Sequence, residues 1–115
     1  VFPDAIVNCA AVAEPAACDA DPVRAQALNV TLPATLAKLA HHLSARFIHL
    51  SSEQVFDGTR PPYAVGDAPR PVNLYGRQKL ESERQVHAAA PDFAVTLRAP
   101  LLTGNSLGGA RSLHE

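Results

Sequence analysis

Tyr75-Gly76-Arg77-Gln78-Lys79 organises this sequence, because it sets a tyrosine and a lysine four residues apart at the predicted start of a helix. Side chains at this spacing lie on one helix face, one turn apart. A lysine ammonium beside a phenol stabilises the ionised form, so we expect the pKa of Tyr75 to lie below its ordinary value of about 10. The spacing alone is weak evidence, and the flanking segments give it meaning.

Apolar segments on both sides of this motif predict three β-strands, at Ala5–Ala10, Arg46–Ser51 and Phe93–Arg98. Helices are predicted between them, over residues 21–44 and from Tyr75 to about Ala90. The unbroken apolar character of the first strand suits a strand that is covered on both faces. Strand, helix, strand, helix, strand at this spacing favours parallel strands joined by right-handed crossovers. The sequence therefore predicts an α/β fold, part of a doubly wound, Rossmann-like parallel sheet.

The first predicted helix has a clear start and an interruption. Asp21 can cap it and Pro22 can occupy its first turn, and the helix would run to about Ser44. Because Pro33 has no backbone donor, we expect a kink or a restart there. Residues 12–20 should form a loop or a short helix before it. Its predicted apolar face carries Leu28, Leu32, Leu36 and Leu39.

A proline-rich loop precedes the second predicted helix. Residues 57–72 begin at an Asp57-Gly58 turn and contain four prolines without periodicity, so we expect a loop ordered by its prolines on the substrate side of the site. In the helix that follows, the pattern predicts buried positions at Leu74, Leu80 and Val86 and solvent-facing ones at Glu81, Glu83 and Arg84.

The composition excludes several classes of function. With 115 residues, 47% of them hydrophobic and 18% charged, the chain has an ordinary globular balance. A net charge of −1 without a basic cluster argues against a nucleic-acid partner. No apolar run reaches the roughly 18 residues of a membrane span, so we expect no membrane association and a cytoplasmic location. Cys9 and Cys18 lack metal-ligand spacing, which predicts two buried free thiols and no metal site.

Polar residues lie where ligands bind in open α/β sheets, at the carboxyl ends of strands. Ser51 and Ser52 close the second predicted strand, one βα step before the tyrosine motif. Each candidate also has a structural alternative. Ser52 could cap a turn, Asn29 could bind a carbonyl freed by a proline, and Tyr75 could turn its ring onto the core. A hydroxyl followed about two dozen residues later by Tyr-x-x-x-Lys favours a catalytic arrangement.

These motifs resemble those of the extended short-chain dehydrogenase/reductases, most closely the dTDP-4-dehydrorhamnose reductase branch. The similarity runs over nearly the whole chain. Residues 3–11 resemble the fourth strand of the family with its Asn-Ala-Ala end, and residues 50–58 resemble its Ser-Thr-Asp-Tyr-Val-Phe-Asp-Gly segment. Further similar positions are Asn29-Val30, Pro62-Tyr63, Pro69, Pro71, Asn73, Leu74-Tyr75-Gly76, Lys79-Leu80, Glu83, Arg98-Ala99-Pro100 and Gly104.

The resemblance implies that NADPH or NADH reduces a nucleotide-linked 4-keto-6-deoxy sugar. Negative charge then develops on the carbonyl oxygen, which must be hydrogen-bonded and protonated. Tyr75 would give the proton, Lys79 would lower its pKa and bind the nicotinamide ribose, and Ser52 would hold the carbonyl. Asn29 would join the lysine in a proton relay. The implied cofactor-binding residues are Asn8, Ala10, Ala11, Asn29, Ser51, Tyr75, Lys79 and Arg98.

The sequence departs from the family pattern in two ways. Ser52 replaces a threonine and keeps the hydroxyl, whereas Glu53 and Gln54 replace an aspartate and a tyrosine beside the substrate and leave the particular sugar open. The glycine-rich pyrophosphate turn of the first βαβ unit is absent, and no methionine opens the sequence. We therefore expect residues 1–115 to be a partial domain, from the fourth strand onward, inactive alone and with a free sheet edge.

Three functions stay open at this point. The first is the NAD(P)H-dependent reductase. The second is a sugar-nucleotide epimerase or dehydratase of the same superfamily, for which Glu53 supplies an acidic group. The third is a non-catalytic partner-binding protein, because the regulatory β subunit of methionine adenosyltransferase resembles residues 57–63 and 73–76. The choice between NAD and NADP and the oligomeric state, including a homodimer, are also left open.

Overall fold

A computed structural model describes residues 2–100 of the chain, so Gly104 lies outside the described part. Three parallel strands form one sheet in the order β1 (Ala5–Asn8), β2 (Arg46–Ser52) and β3 (Ala94–Ala99). The predicted order of strands and helices is confirmed, and the fold is a Rossmann-like α/β arrangement. β1 ends at Asn8, two residues earlier than predicted, and β2 includes Ser52.

The helices of residues 2–100 cover one face of this sheet. Phe47 and His49 on β2 face the helices and are fully buried. On the opposite face, Val7, Val95 and Leu97 are 55%, 43% and 48% exposed. The prediction that the first strand is covered on both faces is therefore wrong for the described residues, because both crossovers pack on the same side. The outer edge of β1 carries no paired strand within residues 2–100.

The first crossover departs from regular α-helix geometry just before Pro33, where the sequence predicted a kink or a restart, although the helical backbone continues through this point. It consists of α1 (Pro15–Ala20), α2 (Pro22–Gln26), a π-helical turn (Ala27–Thr31) and α3 (Leu32–His42). Asp21 caps α2, accepting a hydrogen bond from the Arg24 backbone N at 3.1 Å. Pro33 lies in the first turn of α3, directly after the π-helical turn. The wider π turn accommodates the missing backbone donor of this proline without ending the helix.

Ser44 ends the first crossover in a left-handed conformation, with φ of 54°. The Ser44 backbone N bonds the His41 carbonyl at 3.2 Å, and the Ala45 N bonds the Ala40 carbonyl at 2.8 Å. These two bonds form a Schellman motif, which normally places glycine at this position. The helix consequently stops at His42, and the chain turns directly into β2.

The core between helices and sheet is built mainly from alanines. Its buried members are Ala37, Ala40, Ala45, Phe47, Val86 and Ala90. Small side chains let α3 pack closely against β2 and α4. The predicted leucine face therefore lies at the edge of this packed interface and not at its centre. Leu39 is 47% exposed, and the other three leucines are partly buried.

α4 spans Leu74–Ala89 and carries the tyrosine motif in its first turns. Val86 is buried as predicted, whereas the prediction that Glu83 faces solvent is wrong, because this residue is only 6% exposed. Cys18 is buried, but Cys9 is exposed where the chain leaves β1, so the prediction of two buried thiols holds for one of them. No helix of residues 2–100 combines the length and the apolar character that a membrane crossing requires.

Candidate active site

The site lies at the carboxyl end of β2, where a short turn locks onto the start of α4. The Ser52 side chain caps the 3₁₀ turn Glu53–Val55, accepting from the Gln54 backbone N at 3.1 Å. Asn73 caps α4, accepting from the Gly76 N at 2.7 Å, and its amide donates to the Gln54 side chain at 2.8 Å. One asparagine therefore joins the two segments that carry the serine and the tyrosine.

Gly76 allows these segments to approach closely. A Cβ atom at this position would lie 2.3 Å from the backbone oxygen of Gln54 and 3.0 Å from Pro71. No side chain fits at the first distance, so only glycine permits this contact between the turn and the helix. The glycine inside the Tyr-x-x-x-Lys motif is thus required by packing and not by backbone dihedral angles.

Tyr75 is 8% exposed, and its ring packs in a cluster with Cys18 and Ala25. Burial raises the pKa of Tyr75 above its ordinary value, a hydrogen bond with the Ser52 side chain opposes this rise, and the charge of Glu53 adds to it. The expectation that the pKa of Tyr75 is lowered is therefore wrong in this structure. The structure does bring together the segments that carry the phenol and the Ser52 hydroxyl, through Asn73 and Gly76.

Lys79 is 3% exposed, and its ammonium is turned towards the sheet. Nζ donates a hydrogen bond to the Leu50 carbonyl at 2.7 Å. Burial lowers the pKa of Lys79, and the negative charge of Glu83 opposes this effect. In this structure the Lys79 ammonium therefore hydrogen-bonds a backbone carbonyl of β2 and does not pair with the phenol of Tyr75.

Asn29 holds the loop after β1 with both ends of its amide. Its oxygen accepts from the Val12 backbone N at 2.8 Å, and its nitrogen donates to the Val12 carbonyl at 3.1 Å and to Gln78 at 2.9 Å. The structural alternative from the sequence, a carbonyl freed by a proline, is therefore wrong, because the amide bonds Val12 and Gln78 instead. Asn29 lies in the π turn beside Gln78, the neighbour of Lys79 along α4, and no hydrogen bond joins it to the lysine among the described residues.

The carboxyl end of β1 is open. Ala10 and Ala11 are exposed, and Asn8 is buried with its side-chain oxygen accepting from the Ala10 backbone N at 3.2 Å. Small side chains and a folded-back amide leave the backbone of this segment accessible to a ligand.

Glu83 is the buried residue that sequence reasoning missed. Its carboxylate accepts a hydrogen bond from the Ser51 hydroxyl at 2.5 Å and a forked contact from Arg98, whose Nη2 lies 2.7 Å away. The Glu83 carboxylate raises the pKa of Arg98. The Arg98 guanidinium also lies 5.1 Å from the centre of the Phe56 ring. Ser51 and Arg98, predicted to bind cofactor, thus belong to a partly buried cluster around the Glu83 carboxylate. The four-residue step from Lys79 would have indicated that Glu83 lies on the same helix face.

His49 lies under α4, at the centre of the covered sheet face. Its Nε2 lies 2.8 Å from the Ser82 hydroxyl, which donates to the Lys79 carbonyl at 2.6 Å. Burial lowers the pKa of His49 to about 4, and the charge of Lys79 adds to this effect. The ring is therefore neutral at physiological pH, and its Nδ1 atom has no hydrogen-bond partner among the described residues.

The proline-rich loop and Phe56 line an open cavity of about 470 Å³. Phe56 and Tyr63 stack with ring centres 4.1 Å apart, and the Tyr63 hydroxyl donates to Asp57 at 3.1 Å. Hydrogen bonds from Thr59 and Tyr63 lower the pKa of Asp57. Within residues 2–100, no three histidine, cysteine or acidic side chains gather as metal ligands.

Comparisons with known proteins show the family to which this chain belongs. Residues 1–110 match the profile of the family described as RmlD substrate binding domain. The methionine adenosyltransferase 2 subunit beta of Danio rerio is 46% identical over 102 residues, covering 89% of this chain and 31% of that protein. The dTDP-4-dehydrorhamnose reductase of Mycolicibacterium smegmatis is 40% identical over 103 residues, covering 88% of this chain and 32% of that protein.

Solved structures of dTDP-4-dehydrorhamnose reductases share the fold of this chain. A dTDP-4-dehydrorhamnose reductase from Clostridium acetobutylicum superposes with a TM-score of 0.85 at 31% identity, covering 90% of this chain and 37% of that one. The Bacillus anthracis reductase, solved in complex with NADP, has a TM-score of 0.84 at 26% identity, covering 91% of this chain and 39% of that one. The chain spans about a third of the length of these relatives. It belongs to the RmlD substrate-binding-domain family, and its resemblance to the dTDP-4-dehydrorhamnose reductases is confirmed.

Proposed function

We propose that the protein carrying this chain reduces a 4-keto-6-deoxy sugar nucleotide, with NADPH or NADH as the hydride donor. One observation carries the proposal: Asn73 and Gly76 hold the turn that Ser52 caps against the helix turn that carries Tyr75, at the carboxyl end of β2 and one helix turn from Lys79. The chain belongs to a family with named dTDP-4-dehydrorhamnose reductases, one of them solved with NADP. We take the sugar class and the cofactor class from those relatives.

The residues at the nicotinamide side fit such a cofactor. Exposed Ala10 and Ala11 let a ligand approach the end of β1 closely. Lys79 uses one ammonium donor on Leu50, so two of its three donors remain for ribose hydroxyls. The bound nicotinamide would supply a hydride to the carbonyl carbon of the substrate. Asn8 and Asn29 would support the segment between β1 and Val12 that lies beside it.

Tyr75 would donate its proton to the carbonyl oxygen as negative charge develops there. Burial keeps its pKa above the ordinary value, so the phenol is fully protonated at neutral pH and ready to act as an acid. Ser52 would orient the carbonyl through its hydroxyl. That hydroxyl donates to Glu53 at 2.9 Å in this structure, so it must turn towards the substrate when the substrate binds.

The test is turnover of dTDP-4-dehydrorhamnose, followed by the loss of NADPH or NADH absorbance. Tyr75→Phe should lower kcat by about 100-fold or more, because a general acid contributes at least that factor. Lys79→Met should also lose activity, whereas Lys38→Met should not, because Lys38 is exposed on α3. Equal activity in the Tyr75→Phe and unsubstituted proteins would refute the proposed role of the phenol.

A sugar-nucleotide epimerase or dehydratase is an alternative within the same chemistry. Glu53 places a carboxylate directly beside Ser52, and its charge raises the pKa of Tyr75. This carboxylate could serve as the additional acid or base of such an enzyme. Analysis of the product separates the three reactions, because a reductase consumes one hydride per substrate, whereas an epimerase or dehydratase consumes none.

A non-catalytic binding subunit is the second candidate from another class. The relatives from Danio rerio and Bos taurus, each 46% identical, are both named methionine adenosyltransferase 2 subunit beta. The internal hydrogen bond of Lys79 and the packing of Tyr75 also suit a structural role. A stable complex with a methionine adenosyltransferase in gel filtration, without turnover of any keto-sugar nucleotide, would favour this function.

A further inference from the structure

Stacked side chains join the proline-rich loop, residues 57–72, to the end of the sheet. The Arg98 guanidinium on β3 lies 5.1 Å from the centre of the Phe56 ring. This ring stacks on Tyr63, with the ring centres 4.1 Å apart and the ring planes 4° from parallel. Phe56 directly precedes the loop, and Tyr63 lies inside it. Because the face of an aromatic ring attracts a cation, Arg98 binds the loop through Phe56.

Glu83 fixes the position of this guanidinium from the side of α4. Arg98 Nε donates to Glu83 Oε2 at 3.0 Å, and Arg98 Nη2 donates to Glu83 Oε1 at 2.7 Å. The Ser51 hydroxyl donates to the same carboxylate at 2.5 Å. A forked pair of this kind sets the direction of the guanidinium plane as well as its place. Glu83 therefore holds the arginine over the Phe56 ring.

The loop is also bonded to itself around Tyr63. The Tyr63 hydroxyl donates to Asp57 at 3.1 Å and accepts from the Arg60 backbone N at 3.0 Å. The Arg70 backbone N donates to the Val55 carbonyl at 2.7 Å, which closes the base of the loop. These bonds give the loop a shape of its own, so a contact with the Tyr63 ring positions the loop as a unit.

We propose that Arg98 is a positioning residue that holds the proline-rich loop against the end of the sheet, with Glu83 keeping its guanidinium over the Phe56 ring. Arg98, Phe56 and Tyr63 line one groove together with the turn that follows β2. In the reductase proposed above, the position of the loop therefore sets the affinity for the sugar nucleotide. This effect on affinity rests on the proposed function, whereas the ordering of the loop does not.

Limited proteolysis with chymotrypsin measures how often the loop opens. Cleavage after Tyr63 requires opening of the loop, and cleavage after Phe47 requires global unfolding, because Phe47 is fully buried in the core. Mass spectrometry separates the products of the two cuts. Val86→Ala calibrates the method, since it removes methyl groups from the core and should raise cleavage after Phe47 alone.

Arg98→Lys is the test variant. It keeps a positive charge beside Glu83 but replaces the planar guanidinium, which reaches a carboxylate and a ring together, with a point charge. We expect cleavage after Tyr63 to rise about fivefold, as the loss of a cation–π contact predicts. Arg84→Lys is the matched control and should not change this rate, because Arg84 is exposed on α4 and pairs with Glu81 at 3.7 Å.

A double variant tests whether the arginine acts through the ring. Arg98→Lys combined with Phe56→Leu should open the loop no more than Phe56→Leu alone, because both substitutions remove one shared contact. Cleavage rates that multiply in the double variant would show two independent effects and would contradict the proposal. If Arg98→Lys raises cleavage after Phe47 but not after Tyr63, the arginine stabilises the fold without holding the loop. Equal rates at both sites in every variant would also overturn the proposal, since the loop would then open only by global unfolding.

Kinetics test the effect on affinity. Arg98→Lys should raise the KM for the sugar nucleotide about fivefold, with a smaller change in kcat, because loop position affects binding more than the proton transfer. A rise in the KM for NADPH in its place would assign Arg98 to the cofactor and refute its role in substrate affinity. If the unsubstituted protein turns over no keto-sugar nucleotide, the reductase function fails, whereas cleavage after Tyr63 still decides whether Arg98 holds the loop.

Discussion

Gly76→Ala is the substitution that most directly tests how the site is held together. A new Cβ would lie 2.3 Å from the Gln54 backbone oxygen, and side chains essentially never approach closer than 3.0 Å. The start of α4 or the turn after Ser52 must therefore move by at least 0.7 Å, the difference between these distances. Because the obstacle is backbone, rotation of a side chain cannot relieve it.

The expected magnitude follows from two opposing contributions. Alanine is favoured over glycine in helices by up to about 1 kcal/mol. Overpacking against a rigid neighbour costs about 1–3 kcal/mol. We expect a net loss of about 1 kcal/mol in the free energy of unfolding. If Tyr75 and Ser52 act in catalysis, the displacement should also lower kcat by up to about 100-fold.

Urea unfolding monitored by circular dichroism measures the first effect, provided that the slope with denaturant is unchanged. Gly66→Ala is the matched control, because nothing lies within 4 Å of a Cβ placed there. That control should be neutral or stabilising by up to about 1 kcal/mol. If Gly76→Ala stabilises the protein as much as an unhindered helical alanine would, the close contact between turn and helix does not exist.

Three further substitutions test other parts of the fold. Ser44→Gly should stabilise the protein by about 1 kcal/mol in urea unfolding, because it relieves a left-handed residue in the Schellman motif. Glu83→Gln should destabilise it by about 3 kcal/mol, since it leaves a partly buried arginine unpaired. Glu81→Gln, at a side chain that is 45% exposed, should change it by less than about 0.5 kcal/mol. The pKa of His49 is lowered to about 4 in the folded protein. As the pH falls below about 6.5, His49 therefore binds a proton in the unfolded chain but not in the folded one. The free energy of unfolding should decrease by about 3 kcal/mol in total as a result. His49→Gln should flatten this dependence in unfolding measured from pH 7 to 4, and a steep dependence that survives in His49→Gln but disappears in the exposed His42→Gln would contradict the assignment.

The sequence contained the local signals that place each element. Apolar runs predicted the three strands, and Asp21 and Asn73 precede helices that they cap in the structure. Pro33 predicted an interruption because the missing donor is a property of the residue itself. The Tyr-x-x-x-Lys spacing placed Tyr75 and Lys79 on one helix, and the order of the motifs indicated the family that the comparisons confirm.

The direction and environment of the polar side chains depended on packing between distant segments. Lys79 bonds the Leu50 carbonyl because α4 lies against β2, and burial then raises the pKa of Tyr75 where the sequence predicted a decrease. In the sequence, Glu83 has the pattern of a solvent-facing residue on a polar helix. In the structure it is paired, because β3 places Arg98 against it. A sequence fixes spacing along the chain, but burial and hydrogen-bond partners depend on which surfaces meet. The sequence by itself thus determined the α/β order and the position of the site, and only the tertiary structure decided the charge state and contacts of the groups within it.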